Sequence, residues 1–139
     1  MTVYTYTGKL ADFSDAPFPN AKPRLWVSAE RAAMSEGSVH ALKRVPITVA
    51  ANGSFSVSLV ASADLTPQSK YLLRCEWLDG DTVLGWTDWV FTALIGGGPI
   101  ANMPDSAVTN VWYSTAKPPV DRKSIYWINP VTGDVREWV

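Results

Sequence analysis

Alternation of apolar and polar residues is the dominant pattern in the first two thirds of this 139-residue chain, and it indicates β-structure. The alternation passes through 45–49, stops at Asn52-Gly53 and resumes through 54–59. Asn-Gly between two alternating runs is typical of a two-residue β-hairpin turn, because both central residues of a type I′ turn need a positive φ. We therefore predict a hairpin centred on Asn52-Gly53.

A second hairpin is predicted further along the chain. One face of the strand pattern carries Tyr71, Leu73, Cys75 and Trp77, and the other face carries Leu72, Arg74 and Glu76. Asp79-Gly80-Asp81 then supplies a tight turn, and the strand pattern returns through 83–91.

Other parts of residues 1–94 also indicate strands. Residues 3–10 and 24–29 have strand patterns, whereas 29–42 contain Gly37 and no continuous apolar stripe. We interpret 29–42 as a loop or a short helical turn. About six or seven short antiparallel strands over 1–94 favour an all-β fold, specifically a β-sandwich.

The composition changes after residue 94. A Gly- and Pro-rich stretch at 95–110 is predicted to be a flexible linker, and large aromatics return in the C-terminal arm, 111–139. Within this arm, 125–128 and 135–139 flank a turn-rich segment, which predicts a hairpin. A two-stranded hairpin is only marginally stable alone in water. It therefore packs on its own sandwich, on a second copy or on another protein, and these three choices stay open.

The charge balance argues against several function classes. The 12 Lys and Arg residues offset 13 Asp and Glu residues, and the sequence has no basic stripe of the kind that nucleic-acid binding needs. No apolar run approaches the roughly 20 residues of a membrane-spanning helix, so we expect neither nucleic-acid binding nor membrane insertion. The first residues lack the basic and apolar regions of a signal peptide, so we expect an unprocessed chain made in the cytoplasm.

Residue types that carry catalysis or bind metals are few and scattered. His40 is the sole histidine and is interpreted as a solvated loop residue, whereas Cys75 lies among the apolar residues of its strand and is interpreted as buried and inert. The carboxylates around the second predicted hairpin are Glu76, Asp79, Asp81 and Asp88. Turn aspartates commonly bond to the backbone. We therefore predict no enzyme activity, no metal site and no cofactor.

Seven Trp, five Tyr and four Phe are unusual in a chain with 18% charged residues. Four of the Trp, namely Trp26, Trp77, Trp86 and Trp89, fall in strand patterns, where packing between two sheets explains most of them. The alternative for Trp86 and Trp89 is a platform that stacks on sugar rings, although strict alternation points these two residues to opposite faces.

The aromatic residues of the C-terminal arm are predicted to bind a partner. They are Trp112, Tyr113, Tyr126, Trp127 and Trp138. Tyr126 and Trp127 are adjacent and point to opposite faces of their strand, so one sandwich cannot bury both. At least one face of the hairpin is then available to a partner, because exposed aromatic patches usually mark interaction sites.

Two stretches of the sequence resemble proteins of bacteriophage virions. The first joins a Gly53-x-Phe55-x-Val57-x-Leu59 strand, an Asp64-Leu65-x-Pro67 corner and the strand at Tyr71, and it resembles a pattern that recurs in phage tail and baseplate domains. The second joins Trp112-Tyr113, Lys117-Pro118-Pro119, Tyr126-Trp127 and Thr132-Gly133-Asp134-Val135 through Trp138, and it is similar to an aromatic hairpin repeated in tail fibres and minor tail proteins.

This resemblance implies a non-enzymatic structural protein of the virion with an Ig-like or prealbumin-like β-sandwich. It implies a minor tail or baseplate component, made in the host bacterial cytoplasm, that joins a symmetric assembly through its C-terminal arm. Its partners would be other virion proteins and copies of itself. Two alternatives stay open: a capsid decoration protein, and a receptor-binding module that recognises a glycan of the host cell surface.

Overall fold

A computed structural model describes residues 2–10, 24–79, 81–104, 107–113 and 125–138. These residues form strands β1 (Tyr4–Lys9), β2 (Arg24–Ala29), β3 (Ala33–Ser35), β4 (Ser38–His40), β5 (Val45–Ile47), β6 (Ser54–Leu59), β7 (Tyr71–Asp79), β8 (Thr82–Phe91), β9 (Gly98–Pro99), β10 (Ala107–Tyr113), β11 (Ile125–Ile128) and β12 (Val135–Trp138). Two single 3₁₀ turns, Ser62–Asp64 and Ile100–Asn102, accompany them. The described chain is therefore all-β, as predicted.

The strands form two large sheets and one small hairpin. One sheet has three strands in the order β6-β1-β9, and the other has seven in the order β12-β11-β10-β8-β7-β2-β5. Strands β3 and β4 pair only with each other among the described strands. Neighbours in the seven-stranded sheet are antiparallel except β10 and β11, which are parallel.

The hydrophobic core lies between the three-stranded sheet and the β5-β2-β7-β8 part of the seven-stranded sheet. Phe91 is fully buried at its centre, with its ring centroid 6.4 Å from that of Tyr6 and 5.9 Å from that of Tyr71. Both tyrosine hydroxyls donate to backbone oxygens, Tyr6 to Leu94 at 2.8 Å and Tyr71 to Val60 at 2.7 Å. Two sheets packed through one core make a β-sandwich.

The second predicted hairpin is present, with β7 and β8 antiparallel and Asp79 paired with Thr82. The predicted division of faces in β7 also holds, because Tyr71, Leu73 and Cys75 are buried in the core. A register shift between Trp77 and Leu78 marks a bulge near the end of the strand.

The prediction of a hairpin centred on Asn52-Gly53 is wrong. The turn itself exists, with Gly53 N donating to Ala50 O at 2.8 Å, but β5 pairs with β2 in the larger sheet and β6 pairs with β1 in the smaller one. Gly53 has φ +88°, and a Cβ there would lie 2.3 Å from the Leu10 carbonyl oxygen. The turn therefore carries the chain from one sheet to the other, so that both alternating runs bury apolar side chains in the same core.

Residues 29–42 are not the loop or helical turn that the sequence predicted. They contain the β3–β4 hairpin, whose backbone is tied to Thr66 by reciprocal hydrogen bonds with Met34 at 2.7 and 2.8 Å. His40 lies in β4 rather than in a loop, and its Nε2 is 2.6 Å from the Ser35 hydroxyl. Strands of three residues are too short to show a period in the sequence.

The segment predicted to be a linker, 95–110, contains β9, one 3₁₀ turn and the first part of β10. Strand β10 pairs with β8 from Ala107 to Trp112, and β11 and β12 follow as the predicted antiparallel hairpin. At Gly85 a Cβ would lie 2.3 Å from the Val111 carbonyl oxygen, so glycine permits this close approach of β10. The C-terminal strands thus continue the sandwich's own larger sheet.

No helix in the described part of the chain has the length and apolar character that crossing a membrane requires.

Candidate functional site

The face of the seven-stranded sheet that points away from the core, here called the outer face, carries aromatic and charged side chains. The backbone register places Trp26 opposite Arg74, Arg74 opposite Asp88, and Glu76 opposite Trp86. These residues alternate with the core residues Leu25, Val27, Leu73 and Cys75 on the same strands. The strand register therefore determines which side chains are neighbours on the outer face, as it does in the core.

A row of arginine and aromatic side chains crosses the outer face. The Arg74 guanidinium carbon lies 5.2 Å from the Trp26 ring centroid and 4.9 Å from the Trp86 ring centroid. The Arg44 guanidinium lies over the same Trp26 ring, at 4.2 Å. At the other end of the row, the ring centroids of Trp86 and Tyr113 are 6.0 Å apart. All four distances are within the range of favourable cation–π and aromatic contacts.

Two carboxylates bind side chains of the outer face. Asp88 accepts two hydrogen bonds from Arg74, Nε to Oδ1 at 2.6 Å and Nη2 to Oδ2 at 2.8 Å. Glu76 Oε1 accepts from Arg24 Nε and from Trp26 Nε1, both at 3.0 Å. Bidentate and charge-assisted bonds of this kind are shorter and stronger than neutral ones, so they help to position Arg74, Arg24 and Trp26.

Glu76 stays ionised although its residue is buried. Burial acts to raise the pKa of Glu76, but the hydrogen bonds from Arg24 and Trp26 and the positive charges of Arg24 and Arg44 outweigh it, so its pKa lies below the ordinary value. Arg44 forms no ion pair with a carboxylate of the described residues. Within this group, three guanidiniums therefore face two carboxylates.

The three C-terminal strands β10, β11 and β12, here called the extension, lie beyond the core. None of the described side chains of the extension belongs to the core cluster. Val108, opposite the core-packed Trp89, is 59% exposed. The extension is thus held to the rest of the sheet through the pairing of β10 with β8.

The structure divides the predicted partner-binding residues between the two faces of the extension. Trp112 and Trp127 are register partners, are half-buried, and lie on the face that continues the core side. Tyr113 and Tyr126 lie on the outer face, and both are exposed. Trp138 is in the outermost strand β12, with its backbone opposite Ile125. Trp112 and Trp127 therefore belong to one surface, and Tyr113 and Tyr126 belong to another.

The predicted sugar platform of Trp86 and Trp89 is divided in the same way. Trp89 packs against the core together with Trp77, whose indole Nε1 donates to the Thr87 hydroxyl at 3.1 Å. Trp86 lies on the outer face in contact with Arg74 and Tyr113. Packing between the sheets thus accounts for Trp77 and Trp89 but not for Trp26 and Trp86.

The described residues contain neither a metal-binding cluster nor a reactive thiol at Cys75. Cys75 is fully buried, and burial together with the Glu76 charge raises its pKa to about 12, so its thiolate is not accessible near neutral pH. No group of three or more His, Cys, Asp or Glu side chains within the described ranges is placed to hold a metal ion. Glu76 and Asp88 are each engaged by arginine, as described above.

Arg44 and Arg74 were not predicted from the sequence as site residues, and Trp26 was assigned to packing between sheets. The sequence did indicate their face of the sheet, because adjacent residues of a strand point to opposite sides. Trp26 lies between the apolar Leu25 and Val27. Arg74 lies in the same way between Leu73 and Cys75. Their meeting across strands depends on register, which alternation does not supply.

Comparisons of this chain with protein-family models, with curated proteins and with solved structures find no match.

Proposed function

We propose that this protein is a non-enzymatic structural component of a bacteriophage virion, specifically a minor tail or baseplate protein that assembles through its C-terminal extension. The observation that supports assembly is the unequal size of the two sheets. A three-stranded sheet faces a seven-stranded one, and the described side chains of the extension take no part in the core between them.

The core-side face of the extension is the proposed assembly surface. Sheets are normally covered on their apolar face by a second layer, and Trp is enriched where that layer is another protein. Trp112 and Trp127 lie side by side on this face, and Val108 on the same face is largely exposed. A second copy or another virion protein that packs here would complete the layer.

The virion assignment is supported by the two sequence patterns that resemble phage proteins. The first pattern includes β6, and the second includes the end of β10 and the β11–β12 hairpin, so the tail-fibre-like pattern overlaps the extension. A structural role also agrees with the surroundings of Cys75, Glu76 and Asp88, which are engaged in packing or ion pairs.

The assembly proposal is tested by replacing the two aromatic residues of the proposed surface. We expect the Trp112→Ala/Trp127→Ala protein to remain folded and to lose incorporation into purified particles, measured by quantitative mass spectrometry of the virion. Val39→Ser is the matched control, because Val39 is 86% exposed on the β3–β4 hairpin, away from the extension. Normal incorporation of the folded double variant would contradict assembly through this face.

The position in the particle is tested separately by the genes next to the one that encodes this chain. Tape-measure and baseplate genes as neighbours would support the tail assignment. Capsid and head-protease genes as neighbours would instead indicate the capsid decoration alternative, with the same assembly surface. Neighbours that encode no virion proteins would contradict the virion assignment altogether.

A further inference from the structure

We propose that the outer face of the sandwich is a second interaction surface, which binds an acidic segment of a partner protein through Arg44, Arg24 and the aromatic row ending at Tyr113 and Tyr126. This surface is on the opposite side of the sheet from the proposed assembly surface. Its occupant is defined by chemistry: carboxylates for the arginines and apolar or aromatic side chains for the exposed tyrosines.

Arg44 supplies the first part of the argument. Its guanidinium carbon lies 4.2 Å from the Trp26 ring centroid, and no carboxylate of the described residues pairs with it. A guanidinium that stacks on an aromatic ring keeps its N–H donors at the edges, and those donors match a carboxylate in a bidentate arrangement. Arg44 is exposed and is therefore presented for such a contact.

Arg24 supplies the second cation. Its described hydrogen bond uses only Nε, which donates to Glu76, and its side chain is 57% exposed. The positive charges of Arg24 and Arg44 both help to hold the pKa of Glu76 below its ordinary value, so both cations act on the same carboxylate. Glu76 neutralises one of them, and a second carboxylate from a partner would balance the other.

The aromatic end of the face extends the surface beyond the arginines. Tyr113 is 39% exposed and Tyr126 is 47% exposed, although both are large side chains in strands. From β2 to β11 the face crosses four strand spacings, or about 19 Å at ~4.8 Å per spacing. A short extended segment of a partner spans this distance.

A protein segment fits this face better than a polysaccharide does. Sugars stack on open faces of Trp rings, but guanidiniums already lie over the rings of Trp26 and Trp86. Arg, Trp and Tyr together are instead the residues that are enriched at the energetic centres of protein interfaces. The net positive charge of the row selects an acidic segment.

Binding of capped octapeptides to the full-length protein tests the proposal, with isothermal titration calorimetry as the measurement. A peptide of alternating glutamate and tyrosine should bind. Peptides of alternating lysine and tyrosine, and of alternating glutamate and serine, should bind at least about tenfold more weakly, because each lacks one of the two required chemistries. Equal binding of all three peptides would overturn the proposal, and so would no binding of the first.

Matched variants locate the binding site. Arg44→Ala should weaken binding of the glutamate–tyrosine peptide by roughly tenfold, because the substitution removes a charge-assisted hydrogen bond. Lys9→Ala removes the same charge from the three-stranded sheet and should leave binding unchanged. Tyr126→Ala should weaken binding, whereas Val131→Ala, at a 79% exposed site in the turn between β11 and β12, should not. The reverse result for either pair would place the site elsewhere and contradict the proposal.

Tetragalacturonate provides the test against an acidic glycan, because it carries carboxylates on sugar rings. We expect it to bind at least about tenfold more weakly than the glutamate–tyrosine peptide. If it binds more tightly than that peptide and Arg44→Ala abolishes its binding, the outer face is a glycan site and the assignment of a protein partner is wrong.

Discussion

Phe91 and Tyr113 are large aromatic residues on neighbouring strands of one sheet, but their surroundings differ completely. Phe91 is fully buried and contacts the rings of Tyr6 and Tyr71, which come from both sheets. Tyr113 is 39% exposed and has Trp86 as its described ring contact. The first residue contacts both layers of the sandwich, whereas the described ring contact of the second lies within one sheet.

The comparison separates two ways of stabilising a strand. In the β5-β2-β7-β8 part of the sheet, backbone pairing is reinforced by apolar burial against the three-stranded sheet, which is the dominant favourable contribution to folding. In the extension, strands are held by backbone pairing and aromatic contacts, and none of its described side chains belongs to that core. Stability should therefore be concentrated in the covered part, whereas binding surfaces should be concentrated in the extension and on the outer face.

The largest contrast is expected between two aromatic truncations. Phe91→Ala should lower the free energy of unfolding by about 3–5 kcal/mol, because it leaves a cavity at the centre of the core. Tyr113→Ala should cost about 0.5–1.5 kcal/mol, the value of one aromatic pair. Urea unfolding followed by tryptophan fluorescence measures both. Equal losses would mean that the extension shares a core with the rest of the molecule, and the comparison would fail.

The same difference explains what the sequence could predict. Alternation identified β1, β2, β7 and β8 and the buried face of β7, because a half-buried strand must place its apolar residues on one side. Cys75 was predicted to be buried for that reason, and it is fully buried. Where a strand has one covered face, pattern and structure agree.

Strand partners were harder to predict than strand faces. The Asn52-Gly53 turn joins strands of different sheets, since alternation shows which residues face inward but not which strand lies alongside. The short β3–β4 hairpin was missed for lack of a detectable period. The row of Arg44, Arg74 and Trp86 forms across strands, so it emerges only once the register of three strands is known.

A smaller contrast is expected from one substitution placed in both regions. Val27→Thr introduces a hydroxyl at a fully buried site and should cost about 1–3 kcal/mol, since that hydroxyl has no water to bond. Val108→Thr makes the same change at a 59% exposed site of the extension and should stay within about 0.5 kcal/mol of the wild type. The midpoint of urea unfolding reports both changes. A comparable loss at Val108 would show that a further layer covers this face.

The smallest effect is expected from Glu76 on the outer face, as a change in how the free energy of unfolding depends on acidic pH. Because the folded state lowers the pKa of Glu76 below 4.5, the unfolded chain takes up this proton first as the pH falls. The stabilisation by Glu76 is therefore complete above about pH 4.5 and is lost as the pH drops through the folded-state pKa. Glu76→Gln should flatten the decline of unfolding free energy between pH 5 and 3, measured by urea unfolding at each pH.

Trp26→Phe sharpens this last prediction, because it keeps an aromatic ring beneath Arg44 and removes only the indole N–H that donates to Glu76. Its decline with acid should lie between those of the wild type and Glu76→Gln, since the Arg24 bond and the charge of Arg44 still act on the carboxylate. The effect is modest because Arg24 is more than half exposed and solvent screens its charge. An unchanged decline in Glu76→Gln would show that Glu76 does not link the outer face to folding, and that the outer face contributes to stability only through packing.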